Sequence, residues 1–522
     1  MTAPAGNLAS SRAVVRSGVF NLLGFFASAA YMFLIVPVAL GALGQEQYGL
    51  WTTIAAVTAY LALADFGVST SFVTYIARFV TTREYAKASR VVQLGLLFYG
   101  AVSVILILAT MALAGSGLAM LRIPQEQAAL ARDALLMILS TFALTAIGSV
   151  LGNALAAVQR MDLVNGTAAV ALVVKFCVII LVLHAGWGLR GLLGADLVVT
   201  GATIPVTVFL TKRTMPYLSL RWQGYDHTLM RALIRFGAQM QVSRLSDMVM
   251  ANFDKLLLAR LSGLSIVATY DFGSKPAGRL RQLPATGITS LVAAVSALDA
   301  EANEDRIRAA LVRSTRYLAI VSVPMFGFCI VFAEPLIKVW LGQDQPMAAM
   351  TLRMLSTTFC VSAVVSAMSM ISIGRGEPQF QMRAMLAQTV VNVVLSTALV
   401  LTFGYYGAVA GTTTATLFGA LLFFWMYGRR IVEHPLRLLA SIMSRPVLCG
   451  TVAGGLAWAA FTAMPSDGTR LALTGILAGA GLLFVVVYAL LIVASRTVTA
   501  DDAGFLKGVL PSRLTTFLAA RG

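Results

Sequence analysis

Arg244, Asp247, Asp254, Lys255, Asp271, Lys275, Arg279 and Arg281 lie within two stretches that are otherwise apolar enough to cross a bilayer. A charge at the centre of a spanning helix costs roughly 2.5–3.5 kcal/mol even on the lenient insertion scale, so such a cluster requires a paired or water-filled setting and marks a pathway for something polar. Asp271, Lys275 and Arg279 are spaced i, i+4, i+8, which stacks them on one helix face, and Gln282 and Thr286 continue the stripe. In the preceding stretch Gln241, Arg244, Asp247 and Asp254 share a side, with Lys255 next to it. The plainer reading is local pairing, Asp271 with Lys275 or Arg244 with Asp247, that holds two helices together. Basic residues outnumber acidic ones across the region, so full pairing still leaves positive charge, and the balance favours a binding site over a scaffold.

Other candidates are fewer. Asp65 is followed by Gly67, Ser69, Thr70, Ser71 and Thr74, a polar patch able to line the same cavity. Lys175 falls mid-span with no acid near it in sequence, and a lone buried lysine loses its proton or finds a distant anion. Glu334 and Lys338 form an i, i+4 pair that can snorkel to the interface and reads as structural. Gln388, Asn392 and Ser396 make a milder stripe, equally suited to interhelical hydrogen bonds and to ligand contact.

Cys177, Cys329, Cys360 and Cys449 lack CxxC spacing, and His184, His227 and His434 lack the i, i+4 spacing of metal ligands, so no metal site is expected. There is no Gly-Lys-Ser/Thr nucleotide loop, and the loops on the side away from the termini carry no plausible catalytic carboxylate pair. Neither an enzyme nor a cofactor is expected.

The elements that must hold these residues are spans. The chain has 522 residues, 58% hydrophobic and 12% charged, against the roughly 25% charged usual for soluble domains, so it reads as an integral membrane protein. Its first apolar run, Ser17–Leu40, is too long for a signal-peptide core and reads as a retained span. Dividing the rest by the roughly 20 residues a hydrocarbon core requires gives about fourteen spans. The seventh and eighth, Ala232–Leu261 and Ile266–Leu298, carry the charge cluster, and the ninth is Tyr317–Leu341. Gly273, Pro276, Gly278, Pro284 and Gly287 predict a kinked or partly unwound eighth span. Pro37 offers a bend in the first.

Most Lys and Arg gather on the amino-terminal side of the membrane, which places both termini in the cytoplasm. That asymmetry accounts for the net charge of +17 and removes nucleic acid as an expected partner. Gly188-Leu-Arg-Gly191 recurs as Gly404-Tyr-Tyr-Gly407, 216 residues later, and Tyr48-Gly-Leu-Trp51 has a counterpart in Tyr270-Asp-Phe-Gly273 after 222. Similar offsets suggest an all-α polytopic protein with two six-helix lobes related by a pseudo-two-fold axis, plus two C-terminal helices. The expected division is 1–211, 212–430 and 431–522.

The order Gly41-Ala-Leu-Gly44, Tyr48-Gly-Leu-Trp51, Asp65-Phe-Gly67 and then Asn252-Phe-Asp254-Lys255-Leu-Leu-Leu-Ala resembles the polysaccharide-type, Wzx-like oligosaccharide flippases of the multidrug/oligosaccharidyl-lipid/polysaccharide exporter superfamily. The resemblance covers essentially the whole chain. It implies a central cationic cavity open alternately to cytoplasm and periplasm, lined by the first, second, seventh and eighth spans. It further implies export of undecaprenyl-pyrophosphate-linked oligosaccharide units across the inner membrane for exopolysaccharide, O-antigen or capsule assembly. The first span here departs from that pattern, offering only Arg16 and Asn21.

On that reading Arg244, Lys255, Lys275 and Arg279 take the pyrophosphate, arginine by a planar fork and lysine as a point charge. Asp65, Lys175, Asp247, Asp254 and Asp271 are the cavity and coupling candidates, one aspartate binding a proton or Na⁺. Polysaccharide polymerase and glycosyltransferases are the candidate protein partners. The alternatives are a lipid II flippase, a multidrug or cation exporter with a more acidic and aromatic cavity, and, in another class, a membrane glycosyltransferase or polymerase.

Overall fold

A chain crossing hydrocarbon must satisfy each backbone N–H and C=O internally, and long runs of Leu, Val, Ala and Ile do so as helices. The computed structural model describes residues 11–61, 68–120, 123–222, 224–238, 241–287, 304–464, 469–495 and 497, and among them are sixteen helices and no strand. Eleven of these helices are long and apolar enough to cross a membrane. The all-α, multi-pass architecture is as expected; the count of about fourteen spans is not the one these residues give. By packing the chain divides into two units, residues 1–268 and 269–522.

The first unit holds α1 (Ser11–Leu61), α2 (Val68–Thr81), α3 (Tyr85–Met120), α4 (Gln125–Ala157), α5 (Met161–His184), α6 (Gly188–Thr214), α7 (His227–Ala238), α8 (Gln241–Ser262) and the first residues of α9 (Leu264–Gly287). The stretch expected as two spans, Ser17–Leu40 and the one opening at Tyr48, lies in α1, which is two helical segments joined at a kink at Gly44, whose φ of 75° glycine adopts without strain. A few residues on, a Cβ at Gly49 would lie 1.9 Å from the Leu264 carbonyl, so only glycine lets α1 approach the start of α9 this closely. Gln45 Nε2 donates to the Ser265 carbonyl at 3.1 Å beside it, and the flanking Tyr48 and Leu50 are fully buried. The core of this unit is built on Phe72, Ile76, Val91, Tyr99, Val150 and Leu233.

The expected seventh span, Ala232–Leu261, takes in the end of α7 and most of α8, with residues 239 and 240 lying outside the described residues.

The second unit continues α9 from Thr269 and adds α10 (Glu304–Val331), α11 (Ala333–Leu341), α12 (Pro346–Gly374), α13 (Gln379–Phe403), α14 (Tyr405–Gly428), α15 (Pro435–Ala463) and α16 (Arg470–Ala494). α13 and α14 pack backbone to backbone, a Cβ at Gly407 falling 2.0 Å from the Leu399 carbonyl and one at Gly411 2.4 Å from Ser396 Oγ. At that seam Asn392 Nδ2 donates to Thr412 Oγ1 at 2.8 Å and to Ser396 Oγ at 3.2 Å. Asn392 is thus engaged in an interhelical hydrogen bond to Thr412, while its bond to Ser396 lies within α13. α15 and α16 are tied to α10 and α11 by Tyr488, whose hydroxyl donates to the Ile320 carbonyl, and by Arg470, which donates to the Val339 and Trp340 carbonyls at 2.7 Å each.

Two details refine the sequence reading. Gly188 and Gly404, 216 residues apart, both take φ of 56° where α6 and α14 open, a shared left-handed turn that agrees with an internal repeat. The expected ninth span ends early, because Phe332 leaves the helical region between α10 and α11. Glu334 and Lys338 therefore sit on α11 and pair outward, Lys338 with Asp344 at 2.9 Å and Glu334 with Arg353 at 3.5 Å.

Candidate functional site

α9 carries four charged side chains, Asp271, Lys275, Arg279 and Arg281. Asp271, with none of its side chain exposed, lies 2.6 Å from Lys275 Nζ one turn along. The neighbouring Phe272 is fully buried, and a Cβ at Gly273 would lie 2.4 Å from the Ala348 carbonyl, so this turn of α9 is pressed against α12. The lysine offsets the cost of burying the carboxylate, which for an ionised acid in such a setting is several kcal/mol. The i, i+4 stacking read from the sequence is thus real, and the local pairing that competed with a binding role for Lys275 is formed.

Further along the same helix Arg279 Nη1 donates to Gln282 Oε1 at 3.4 Å, a neutral partner that leaves the guanidinium charge in place. Arg281 lies 5.3 Å above the Phe359 ring centroid, an aromatic face that attracts the cation. Arg279 is half-buried and Arg281 exposed. α9 is helical from Leu264 to Gly287 with Pro276 and Pro284 inside it, so these prolines do not unwind it, and each removes one backbone donor.

In the first unit α8 packs on α1 and carries Asp254, buried, and Lys255, half-buried, with Asp247 exposed nearer its start. Tyr60 of α1 is within electrostatic range of Asp254. Arg260, which the sequence reading passed over, adds an exposed cation in the last turn. Asp65 lies outside the described residues, as does the side chain of Arg244.

Lys175 has found its anion. It forms an ion pair with Asp196 of α6, which also accepts from Thr200 Oγ1 at 3.3 Å. Tyr31 of α1 lies within electrostatic range of Asp196 and edge-on to Phe176, with ring centroids 6.5 Å apart. Asp196 was not singled out in the sequence; the α5–α6 hairpin brings it to the lysine, a relation that local spacing does not reveal.

The structure thus brings Asp271, Lys275 and Arg279 onto one face of α9 and sets Lys175 apart in an intra-unit pair on α5 and α6. Its chemical capacity is that of an anion-binding helix face, with arginine forks suited to phosphate oxygens beside a pair that is already neutral.

Several solved structures share this fold. The chain is similar to the lipid II flippase MurJ in its inward closed conformation, with a TM-score of 0.67 over 91% of this chain and 98% of that one at 12% identity. It is similar also to the inward-facing conformation of a multidrug resistance MATE family transporter of the MOP superfamily, with a TM-score of 0.62, 76% and 97% coverage and 18% identity. A third likeness is a mutant form of the Vibrio cholerae MATE transporter VcmN, at a TM-score of 0.58, 80% and 96% coverage and 14% identity. At these identities the likeness establishes the fold. No curated protein matches in sequence. The family described as polysaccharide biosynthesis protein matches residues 42–345, more than half of the chain, from the latter part of α1 through α11. This multi-pass membrane protein belongs to that polysaccharide biosynthesis family.

Proposed function

We propose that the chain is a flippase that carries polyprenyl-pyrophosphate-linked oligosaccharide units from the cytoplasmic to the periplasmic leaflet of an inner membrane, with both termini cytoplasmic. The observation that carries this reading is the cationic turn of α9: Arg279, hydrogen-bonded to a neutral amide, keeps its charge beyond a neutralised Asp271–Lys275 pair, within a bundle that is otherwise apolar. A pyrophosphate bearing sugars cannot enter hydrocarbon, and guanidinium groups at low dielectric offer its oxygens bidentate hydrogen bonds. Membership in a polysaccharide biosynthesis family and a MurJ- and MATE-like fold support the same reading.

On this account Arg279 holds the pyrophosphate directly, with Arg244 and Lys255 as further contacts, while Lys275 acts mainly by neutralising Asp271. Asp247 and Asp254 are the candidates for a coupling proton or Na⁺, together with Asp65 from α1's continuation in sequence. Alternating access, implied by the resemblance to oligosaccharide flippases, supplies the transport cycle. A lipid II flippase is the second reading, favoured by the likeness to MurJ, because the same cationic face would serve another polyprenyl pyrophosphate. The separating experiment is complementation: cells lacking their own oligosaccharide flippase regain surface polysaccharide with this protein, whereas rescue confined to cells lacking a lipid II flippase moves the assignment to that substrate.

A further inference from the structure

At one end of the first unit, the turn from α2 to α3, the segment 215–226 and the start of α7 form a single ordered surface. Gln93 Nε2 donates to the carbonyls of Ser219 and Arg221, at 2.9 and 2.5 Å, and the Ser219 amide donates to Ser89 Oγ at 3.0 Å. Tyr85 and Tyr217 lie with ring centroids 4.1 Å apart, and Ser71 donates to the Leu233 carbonyl at 2.9 Å, fixing α7 on α2. Met230 and Leu233 are buried on one side of α7, while Arg231 is exposed on the other and donates to His227 Nε2 at 3.1 Å.

The charges on this surface are one-sided. Arg78, Arg83, Lys212, Arg213, Arg221 and Arg231 are all exposed. The two acids beside them are engaged: Glu84 pairs with Lys87 and accepts from Thr82, and Asp226 accepts from Thr228 Oγ1 and the Leu229 amide and faces Arg90 at 3.8 Å. Among these cations stand two exposed aromatics, Trp222 at 52% and Tyr225 at 55%, with Ile234 at 36%. Charge asymmetry alone requires basic residues at this end of the helices. It requires neither a segment pinned by Gln93, Ser89 and a ring contact, nor aromatic side chains projected from it.

We infer that this surface is a headgroup-level docking site for acidic phospholipids of the leaflet it adjoins. The arginines and Lys212 take phosphate and headgroup oxygens, Trp222 and Tyr225 seat at the level of the glycerol backbone where amphipathic rings settle, and α7 lies along the interface with its apolar side on α2. The site is independent of the transported substrate.

The test is lipid retention by the purified full-length protein, measured by native mass spectrometry in detergent doped with phosphatidylglycerol or phosphatidylcholine. Wild type retains phosphatidylglycerol in preference to phosphatidylcholine. The triple change Arg213→Gln, Arg221→Gln, Arg231→Gln weakens that retention on the order of 100-fold at low salt, from about a five- to tenfold loss per cation. Replacement of the same three by Lys restores it, which separates the site from misfolding. The triple Arg308→Gln, Arg437→Gln, Arg445→Gln, removing equal exposed charge from the second unit, leaves it within about twofold. Equal loss in both Gln triples, no preference for the acidic lipid, or displacement of bound lipid by inorganic pyrophosphate at low millimolar concentration overturns the inference, the last by showing that the surface reads a soluble anion.

Discussion

The Asp271 carboxylate and the Lys275 ammonium lie 2.6 Å apart on successive turns of α9, the acid without exposed surface and the lysine about a quarter exposed at 27%. This pair divides the charges of the helix into those that hold it together and those that remain to act. Lys275→Ala removes the cation beside a buried carboxylate, and loss of one partner of a buried pair costs about 3–5 kcal/mol, with the lower end appropriate to a lysine that is partly screened. Lys275→Ala should therefore lower the melting temperature in detergent, and Asp271→Asn with Lys275→Ala should recover most of the loss. A double variant as unstable as the single one would remove the pair from the account.

Arg279 is expected to behave differently. Its described partner is the neutral amide of Gln282, so Arg279→Ala leaves no buried anion behind. Export of surface polysaccharide should fall at least tenfold while membrane abundance stays near wild type, with Lys338→Ala, on an exposed pair with Asp344, as the mild control. Parallel loss of export and abundance in Arg279→Ala would turn the α9 cations into scaffold.

The α13–α14 seam gives a packing prediction. Gly407→Ala places a methyl 2.0 Å from the Leu399 carbonyl, backbone that cannot rotate away, whereas Gly455→Ala meets nothing within 4 Å. Overpacking of this kind costs about 1–3 kcal/mol or more, so the first variant should lower thermal stability clearly and the second should not. Thermal denaturation in detergent, followed by size-exclusion recovery, checks both.

Asp226 caps α7. Hydrogen bonds from the Thr228 hydroxyl first, and then from the Leu229 amide, hold its carboxyl below the usual carboxylate range, with Arg90 adding to the effect. A depressed carboxylate contributes stability above its unfolded pKa of about 3.9, and that contribution is lost as pH falls through the lower folded value. Glu84, held down by Lys87 and then Thr82, follows the same direction. Amide exchange in α7 should thus be insensitive to pH between about 5 and 8 once intrinsic rates are removed, and should rise below about pH 4. Asp226→Ala should raise it at every pH by the equivalent of about 1 kcal/mol of cap energy; a variant with unchanged exchange would contradict the cap.

Much of this was legible in the sequence because membrane chains expose their rules locally. The i, i+4, i+8 spacing of Asp271, Lys275 and Arg279 fixes a shared face wherever the segment is helical, and it is helical. Gly188 and Gly404 share a positive φ, which glycine adopts without strain, at the openings of α6 and α14. What escaped detection depended on contacts distant in sequence or on short elements. The Lys175–Asp196 pair needs two helices to be folded against each other before either residue has a partner. Glu334 and Lys338 read as structural from their spacing, and their partners, Arg353 and Asp344, lie outside the i, i+4 pair. The polar stripe of Asn392 and Ser396 was ambiguous until Thr412 and the glycines of α14 showed what it faces.

The central claim is that the basic face of α9 serves an anionic lipid-linked sugar. Its most direct test is flipping in proteoliposomes of the purified protein, comparing a fluorescent polyprenyl-pyrophosphate oligosaccharide with a cationic dye, and wild type with Arg279→Ala. The account predicts movement of the anionic lipid alone, lost in the variant. Movement of the dye, or anionic flipping that survives Arg279→Ala unchanged, would contradict it.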